Sequence, residues 1–274
     1  MSSPGLSLVG FLDDEHAVLR HLQNACIPKK NDQSALIAEW HSAKAQLGDR
    51  IENAGHPRCE PLPRAQENHA KAILSNSAFQ DEWKGSRIEL VEIDPLLAYQ
   101  VAIDNAICAR HCATLSQPPT LDQLMAVCLP LNITPEVPET FTGQNSLILR
   151  AKNLNVHIQK EVRFASFMGV QLGIAMPYVH VVRHGGRCYL VDGYHRAVGL
   201  RKAGATHAPC VLRDVPDHSA VGLNPPVYFP LDLLESDNPP TLGHFTQGRA
   251  YPVVLRSHSR IVHVSWAEHV VPDE

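Results

Sequence analysis

The stretch from residue 177 to 213 limits most strongly how this chain can fold, because its turn residues allow few successions of elements. The dipeptide Gly185-Gly186, between two apolar runs, predicts a β-hairpin. Asp192-Gly193 then closes the hairpin, and Gly204 stands where a helix is expected to end. The predicted elements are a strand at 177–182, a return strand at 188–191, a helix at 194–203 and a strand at 209–212.

The rest of the chain predicts short elements joined by many turns, since it contains 16 Gly and 21 Pro. Apolar periodicity indicates two helices within residues 11–50, the first started by Asp13 or Asp14 and the second stopped by Gly48. The other predicted helices cover 67–74, 79–83, 99–115 and 121–128. The other predicted strands cover 87–93, parts of 146–159 with a turn near 152–153, and a final hairpin of 251–256 with 260–266. Residues 130–145 are predicted to be a loop.

Composition indicates a globular protein, with 44% hydrophobic and 19% charged residues. The formal charge of −4 argues against a general polyanion binder but leaves room for a local basic site. Residues 183–213 form such a window, because they hold six Lys and Arg residues and one acid, Asp192. Its formal charge of +5 predicts a surface that attracts anions.

The cysteines and the N-terminal residues indicate a cytoplasmic protein. Seven cysteines, an odd and scattered set, argue against a closed disulfide framework and for a reducing compartment. The N-terminal residues lack the basic and apolar pattern of a signal peptide. Residues 164–182 carry no charge, but Gln171, Pro177 and His180 favour a buried segment over a membrane span. No membrane partner is therefore expected.

The junction between the predicted hairpin and helix has the character of an anion site. Gly193 permits a tight turn, and Asp192 is expected to cap the helix by accepting first-turn N–H groups. The remaining N–H groups and the positive end of the helix dipole would face outward. His195 and Arg196 oppose that dipole unless a phosphate binds between them, and His195 could also shuttle a proton. A junction with a capping Asp and solvated basic residues remains the alternative.

The segment Val191-Asp192-Gly193-Tyr194-His195-Arg196, with Gly204 and Pro209 after it, resembles the D-G-x-H-R box of the ParB/sulfiredoxin-like fold. The likeness covers residues 177–213, and residues 88–100 are similar to the opening strand of that fold. The resemblance implies a nucleotide whose phosphates are cradled at the helix N-terminus. The implied binding residues are Gly193, Tyr194, His195 and Arg196. Asp192 would orient metal or substrate.

Departures from the family pattern narrow the expected activity. Sulfiredoxins carry a reactive Cys where this chain has Tyr194, which argues against peroxiredoxin repair. Chromosome-partition members continue into a helix-turn-helix region, whereas the residues after 216 are broken by prolines. Free-serine kinases of this fold use a Glu near the first strand, where this chain has Gln100. Glu92 is the candidate base, with Asp94 nearby.

No metal site is expected from the sequence. Cys108 and Cys112 flank His111, and His56 precedes Cys59, but neither spacing is that of a zinc finger and no second close pair follows. Structural cysteines are the simpler interpretation.

These observations predict an α+β protein in three parts: an N-terminal helical segment (1–84), a central ParB/sulfiredoxin-like domain (85–215) and a β-rich extension (216–274). The expected function is binding of a nucleoside di- or triphosphate, with or without magnesium. Phosphoryl transfer to an unknown small molecule would use Asp192, His195 and Glu92 as catalytic residues. The alternatives are a non-catalytic nucleotide sensor or interaction module, and a ParB-like nucleic-acid binder or nuclease, which the net acidity disfavours. Whether the protein is an enzyme stays open.

Overall fold

The computed structural model describes residues 2–28, 32–49, 51–76, 79–80, 83–132, 139–151, 156–163, 168–174, 176–217, 229–257 and 259–269. The chain divides into two compact units. The first unit consists of Met1–Leu131 with Pro177–Arg256, and the second of Asn132–Met176 with Ser257–Glu274. The described residues contain both many helices and many strands, so the prediction of an α+β protein is confirmed.

The strands are β1 (Ser2–Ser7), β2 (Cys59–Pro61), β3 (Arg87–Glu92), β4 (Leu97–Ala98), β5 (Ala102–Asp104), β6 (Glu139–Gly143), β7 (Ser146–Ala151), β8 (Val156–Arg163), β9 (Met168–Ile174), β10 (His180–His184), β11 (Arg187–Asp192), β12 (His207–Asp214), β13 (Tyr251–Arg256) and β14 (Arg260–Ser265). The helices are α1 (Glu15–Asn24), α2 (Gln33–Gln46), α3 (Glu67–Leu74), α4 (Asn105–Cys112), α5 (Leu121–Cys128), α6 (Tyr194–Lys202), α7 (Leu231–Glu235) and α8 (Leu242–Thr246). Short 3₁₀ turns cover Val9–Phe11 and Arg64–Gln66.

The centre of the first unit is a mixed sheet with the strand order β2-β3-β12-β10-β11-β4. The pairs β10–β12 and β11–β4 are parallel, and the other pairs are antiparallel. A parallel pair needs a crossover connection, and β11 with α6 supplies it between β10 and β12. A second sheet of the same unit has the order β13-β1-β5.

The predicted succession of hairpin, helix and strand is confirmed. Gly185 and Gly186 adopt φ values of 57° and 80°, so they form the tight turn between β10 and β11. Gly204, at φ 98°, ends α6 in the left-handed conformation that favours glycine. Helix α6 packs closely on α4, because a Cβ on Gly199 would lie 2.7 Å from the Cys108 carbonyl oxygen.

The N-terminal helices also follow their capping residues. The Asp14 carboxylate accepts hydrogen bonds from the His16 and Ala17 N–H groups and so starts α1. Asp32 caps α2 in the same way through Ala35 N–H. The predictions for α3 and α5 are confirmed as well.

Two predicted elements are wrong. The helix expected at 99–115 begins only at α4, because residues 102–104 form β5 beside β1 and the Asp104 carboxylate caps α4 through Ala106 N–H and Ile107 N–H. The final hairpin does not form, since β13 pairs with β1 and β14 pairs with β7. In both cases a strand distant in sequence supplies the partner.

The compact units differ in their bounds from the expected parts 1–84, 85–215 and 216–274. Pairing of β13 with β1, and of β1 with β5, draws the N-terminal strand, part of the middle of the chain and residues 251–256 into the first unit. The second unit contains the sheet β14-β7-β6 and the pair β8-β9. Leu149, Ala151 and Val262 form a small core there. The expected loop 130–145 contains β6.

Several expectations fall on residues outside the described ones: the middle of the helix predicted at 79–83, the turn near 152–153, and parts of 130–145, of 164–182 and of the chain after 216. Among the helices of the described ranges, none combines the length and apolar character that a bilayer crossing requires.

Replacing Tyr194 with Phe is expected to destabilise the first unit. The buried Tyr194 hydroxyl donates to the Leu190 carbonyl at 2.6 Å and accepts from Tyr99 N–H at 3.0 Å. Its loss leaves a buried N–H without that acceptor, which costs about 1–3 kcal/mol of unfolding free energy. Urea unfolding measures the change. Tyr178→Phe is the matched control, because Tyr178 is also buried and the hydrogen bond shown for it is accepted by its main-chain carbonyl, which the substitution keeps. An equal loss in both variants would contradict the role given to Tyr194.

Candidate functional site

The site lies where β11 passes into α6. Gly193 is the N-cap residue of α6 and adopts φ 97°, ψ 20°. A Cβ at this position would lie 2.8 Å from the Val179 Cγ2 atom, so both the backbone angle and the space require glycine. The Ala197 N–H donates to the Gly193 carbonyl at 2.8 Å, which closes the first helical turn.

The predicted capping role of Asp192 is wrong. Its carboxylate accepts a hydrogen bond from the N–H of the adjacent Gly193, at 2.6 Å, instead of from the first turn. The left-handed Gly193 makes glycine itself the N-cap residue, and in the described part of the chain no side chain caps α6. The first N–H groups of a helix have no intrahelical acceptor, so those of α6 need acceptors from outside the helix.

The Asp192 carboxyl group lies at the partly enclosed surface beside the start of α6, a surface that is called the recess below. Surrounding protein raises its pKa by desolvation, although Arg196 and the Gly193 N–H act in the opposite direction. Its side chain nevertheless keeps 45% of its area exposed. A small ligand could therefore reach this carboxylate from solvent.

Arg196 lies in the first turn of α6 and is almost fully buried, with 8% of its side chain exposed. Its Nη2 atom donates to the Tyr178 carbonyl at 3.3 Å and lies 3.5 Å from an Asp192 carboxylate oxygen. Its Nη1 atom is buried and has no hydrogen-bond partner within the described residues. A buried guanidinium nitrogen without an acceptor is costly, so this atom is a candidate ligand contact.

His195 is half-buried beside the same turn. Burial lowers the pKa of its imidazole; the nearby Asp104 carboxylate acts against this, and Arg196 and Arg110 act with it. The ring is therefore neutral at neutral pH, the form in which it can accept a proton. The sequence did not indicate that Asp104 lies near His195. The role of Asp104 as the N-cap of α4 could have been recognised from the residues around it.

Tyr194 occupies a different environment from the one expected. Its side chain is buried, and its hydroxyl group joins Leu190 to Tyr99 inside the unit. The turn at the left-handed Gly193 directs the Tyr194 ring into the core, so the ring is not exposed to a ligand.

Glu92 and Asp94 do not converge on Asp192. Glu92 pairs with Arg58 at 3.4 Å and lies opposite His207 at the start of β12. The register places it four residues and three strands from Asp192, about 13 Å along the strands and about 14 Å across them. Asp94 accepts from Arg201 Nε at 2.9 Å, in the last turn of α6. The structure thus separates the predicted catalytic Glu92 from Asp192 and His195.

The basic window 183–213 is not a continuous positive surface. Arg183 pairs with Asp214 at 2.6 Å, and Arg201 pairs with Asp94. Arg187 donates to the carbonyl groups of Leu234 and Ser236. Two acids from outside the window, Asp94 and Asp214, thus offset two of its six positive charges.

Among the described residues, no group of three or more His, Cys, Asp or Glu side chains is arranged to hold a metal ion. The sulfur atoms of Cys108 and Cys112 belong to the packing of α4, where Cys112 approaches Gly199. No family model, curated protein or solved structure matches this chain.

His180 is buried and lies opposite Asp192 in the register of β10 and β11. Because of this burial, we expect the protein to lose stability in acid. Burial, with the Arg213 charge, lowers the pKa of His180 from 6.5 to about 4. Between these pH values the unfolded chain binds a proton that the folded chain does not, so unfolding free energy falls as pH decreases, by at most about 1.4 kcal/mol per pH unit for this group.

His180→Phe is expected to make this decline shallower, because the phenyl ring keeps the packing on Trp83 and cannot titrate. Denaturant unfolding between pH 7 and 4 measures the slope. The exposed His16, replaced by Gln, is the control and should retain the original slope. An unchanged slope in His180→Phe would show that other groups carry the acid sensitivity.

Proposed function

We propose that this protein binds a nucleoside di- or triphosphate through its phosphate groups at the N-terminus of α6. The proposal rests on the Arg196 guanidinium. Only 8% of the Arg196 side chain is exposed, and its Nη1 atom has no hydrogen-bond partner within the described residues. The guanidinium stands beside a helix N-terminus that no described side chain caps. A phosphate oxygen would satisfy both the guanidinium and the first-turn N–H groups.

Asp192 and His195, the half-exposed residues of the recess, are suited to contact a small phosphorylated ligand. A bound phosphate would favour the protonated imidazole of His195, which would take its proton from solvent and donate to a phosphate oxygen. Asp192 opposes an unaccompanied phosphate, because its ionised carboxylate would repel the phosphate oxygens. Where Mg²⁺ accompanies the nucleotide, the Asp192 carboxylate would hold the ion, whose charge would offset that repulsion.

Membership of the ParB/sulfiredoxin-like fold is part of this proposal. It is supported by the D-G-x-H-R box at the hairpin-to-helix junction and by the parallel return of β12 beside β10. The seven cysteines are all free thiols, which supports a cytoplasmic location.

Phosphoryl transfer to a small molecule is the second candidate function. The imidazole of His195 is neutral and lies near the Asp104 carboxylate. It could therefore accept a proton next to the bound phosphates, which favours phosphoryl transfer. The distance of Glu92 from Asp192 favours binding without turnover, as in a nucleotide sensor. Nucleic-acid binding is disfavoured, because Arg183 and Arg201 are paired with acids and leave no broad basic face.

Asp192→Asn is expected to strengthen binding of ADP in the presence of a magnesium chelator by about threefold or more. The amide keeps the acceptor for Gly193 N–H and removes a negative charge next to the phosphates. Isothermal titration calorimetry measures the dissociation constant. Asp214→Asn removes the same charge from a half-exposed carboxylate paired with Arg183 and Arg87, and it should leave the affinity unchanged. Failure of ATP, ADP, CTP and GTP to bind the unaltered protein, with and without Mg²⁺, would refute the proposal.

Arg196→Ala is expected to weaken nucleotide affinity at least tenfold, and also to lower stability, because Tyr178 and Asp192 lose a buried partner. Arg196→Lys, which retains the charge but not the two-nitrogen fork, separates these effects and should still bind more weakly. His195→Ala should reduce any turnover more than binding. Unchanged affinity in a folded Arg196→Ala protein would exclude the proposed phosphate contact.

A further inference from the structure

A groove lies between the outer side of α2 and strand β13 in the first unit. It consists of two cavities, of about 530 Å³ and about 210 Å³. Glu39 and Tyr251 line both cavities, so the two adjoin and form one continuous groove. The lining residues fall within 26–42 and 251–254, which makes the groove distinct from the recess at the start of α6.

The α2 side of the groove carries small side chains. Ala35, Ala38 and Ser42 line the larger cavity at spacings of three and four residues, so they share one face of the helix. A face of small residues lets the backbone of a second helix approach closely and pack along it. From Asp32 to Ser42 the helical wall is about 15 Å long, which matches about three turns of another helix.

The middle of the groove is negatively charged. The Glu39 side chain is half-buried, and its carboxylate forms neither an ion pair nor a hydrogen bond within the described residues. Asp32, the N-cap residue of α2, adds a second carboxylate at one end. Near the other end, the Arg256 Nε atom donates to the Cys26 carbonyl at 2.9 Å. A half-buried carboxylate that lacks a partner favours a cation supplied by another molecule.

The end of the groove beside β13 is apolar. Ile27 and Val254 are 40% and 44% exposed, and they are neighbours, because Ile27 N–H donates to the Val254 carbonyl at 2.7 Å. Adjacent exposed apolar side chains favour contact with a second apolar surface. Addition of a further strand to β13 is disfavoured, since residues 25–27 already bond to this edge and Pro252 has no N–H group.

We propose that the groove binds an amphipathic helix of a partner protein. A Lys or Arg side chain of that helix would face Glu39, and its apolar side chains would contact Ala38 and Ile27. The small residues of α2 select a helix, the unpaired carboxylate selects a cation, and the apolar end selects an apolar face. This interaction surface does not depend on the proposed binding of a nucleotide.

The test measures fluorescence anisotropy of two labelled synthetic peptides with the full chain. Both peptides are amphipathic helices of about 15 residues with Ala and Leu on one face, and they differ in one central residue, Lys or Glu. We expect the Lys peptide to bind about tenfold more tightly or better, because its ammonium group pairs with Glu39 and the Glu side chain is repelled. Equal affinity for the two peptides, or binding of neither, would overturn the proposal.

Variants of the groove locate the binding. Glu39→Lys should reverse the preference, so that the Glu peptide binds more tightly. Ala38→Arg fills the groove and should abolish binding, whereas Ala72→Arg, at an exposed alanine of α3, is the matched control and should retain it. Full binding by a folded Ala38→Arg protein would refute the site. A dimer of the unaltered protein that Ala38→Arg separates would also overturn the proposal, because a second copy would then occupy the groove.

Discussion

The arrangement of the first unit depends on the close approach of Gly193 to Val179 at the end of β11. Because no Cβ fits there and φ is 97°, the chain turns abruptly from strand to helix. This turn sends the Tyr194 ring into the core, where its hydroxyl group joins β11 to the backbone of Tyr99. It also directs Arg196 under the recess, against the Tyr178 carbonyl. One glycine thus fixes which side chains of residues 191–196 become part of the core.

Electrostatic compensation decides where the protein can attract an anion. Most cations of the window 183–213 have partners from other parts of the chain, such as Asp94 for Arg201 and Asp214 for Arg183. Arg196 differs, because its partners are the half-exposed Asp192 and one carbonyl group, and one nitrogen is left over. Positive charge that is available to a ligand is therefore local. This favours a small phosphorylated molecule over a polymer.

Local signals predicted the elements whose ends are set by their own residues. Asp14 starts α1, Gly204 ends α6, and Gly185-Gly186 turns the hairpin, since each acts through backbone groups a few residues away. The predictions were wrong where an element pairs with a strand distant in sequence. Residues 102–104 form β5 instead of the start of a helix because they pair with β1. Strand β13 pairs with β1 instead of with its expected hairpin partner.

The hairpin, the helix that follows it and the residue types gathered at their junction are readable from the chain itself, because turn and capping chemistry act over a few residues. The burial of Tyr194, the pairing of Glu92 with Arg58 far from Asp192 and the position of Asp104 near His195 became visible in the folded protein alone. Burial, charge pairing and strand register depend on partners distant in sequence, which no local pattern specifies.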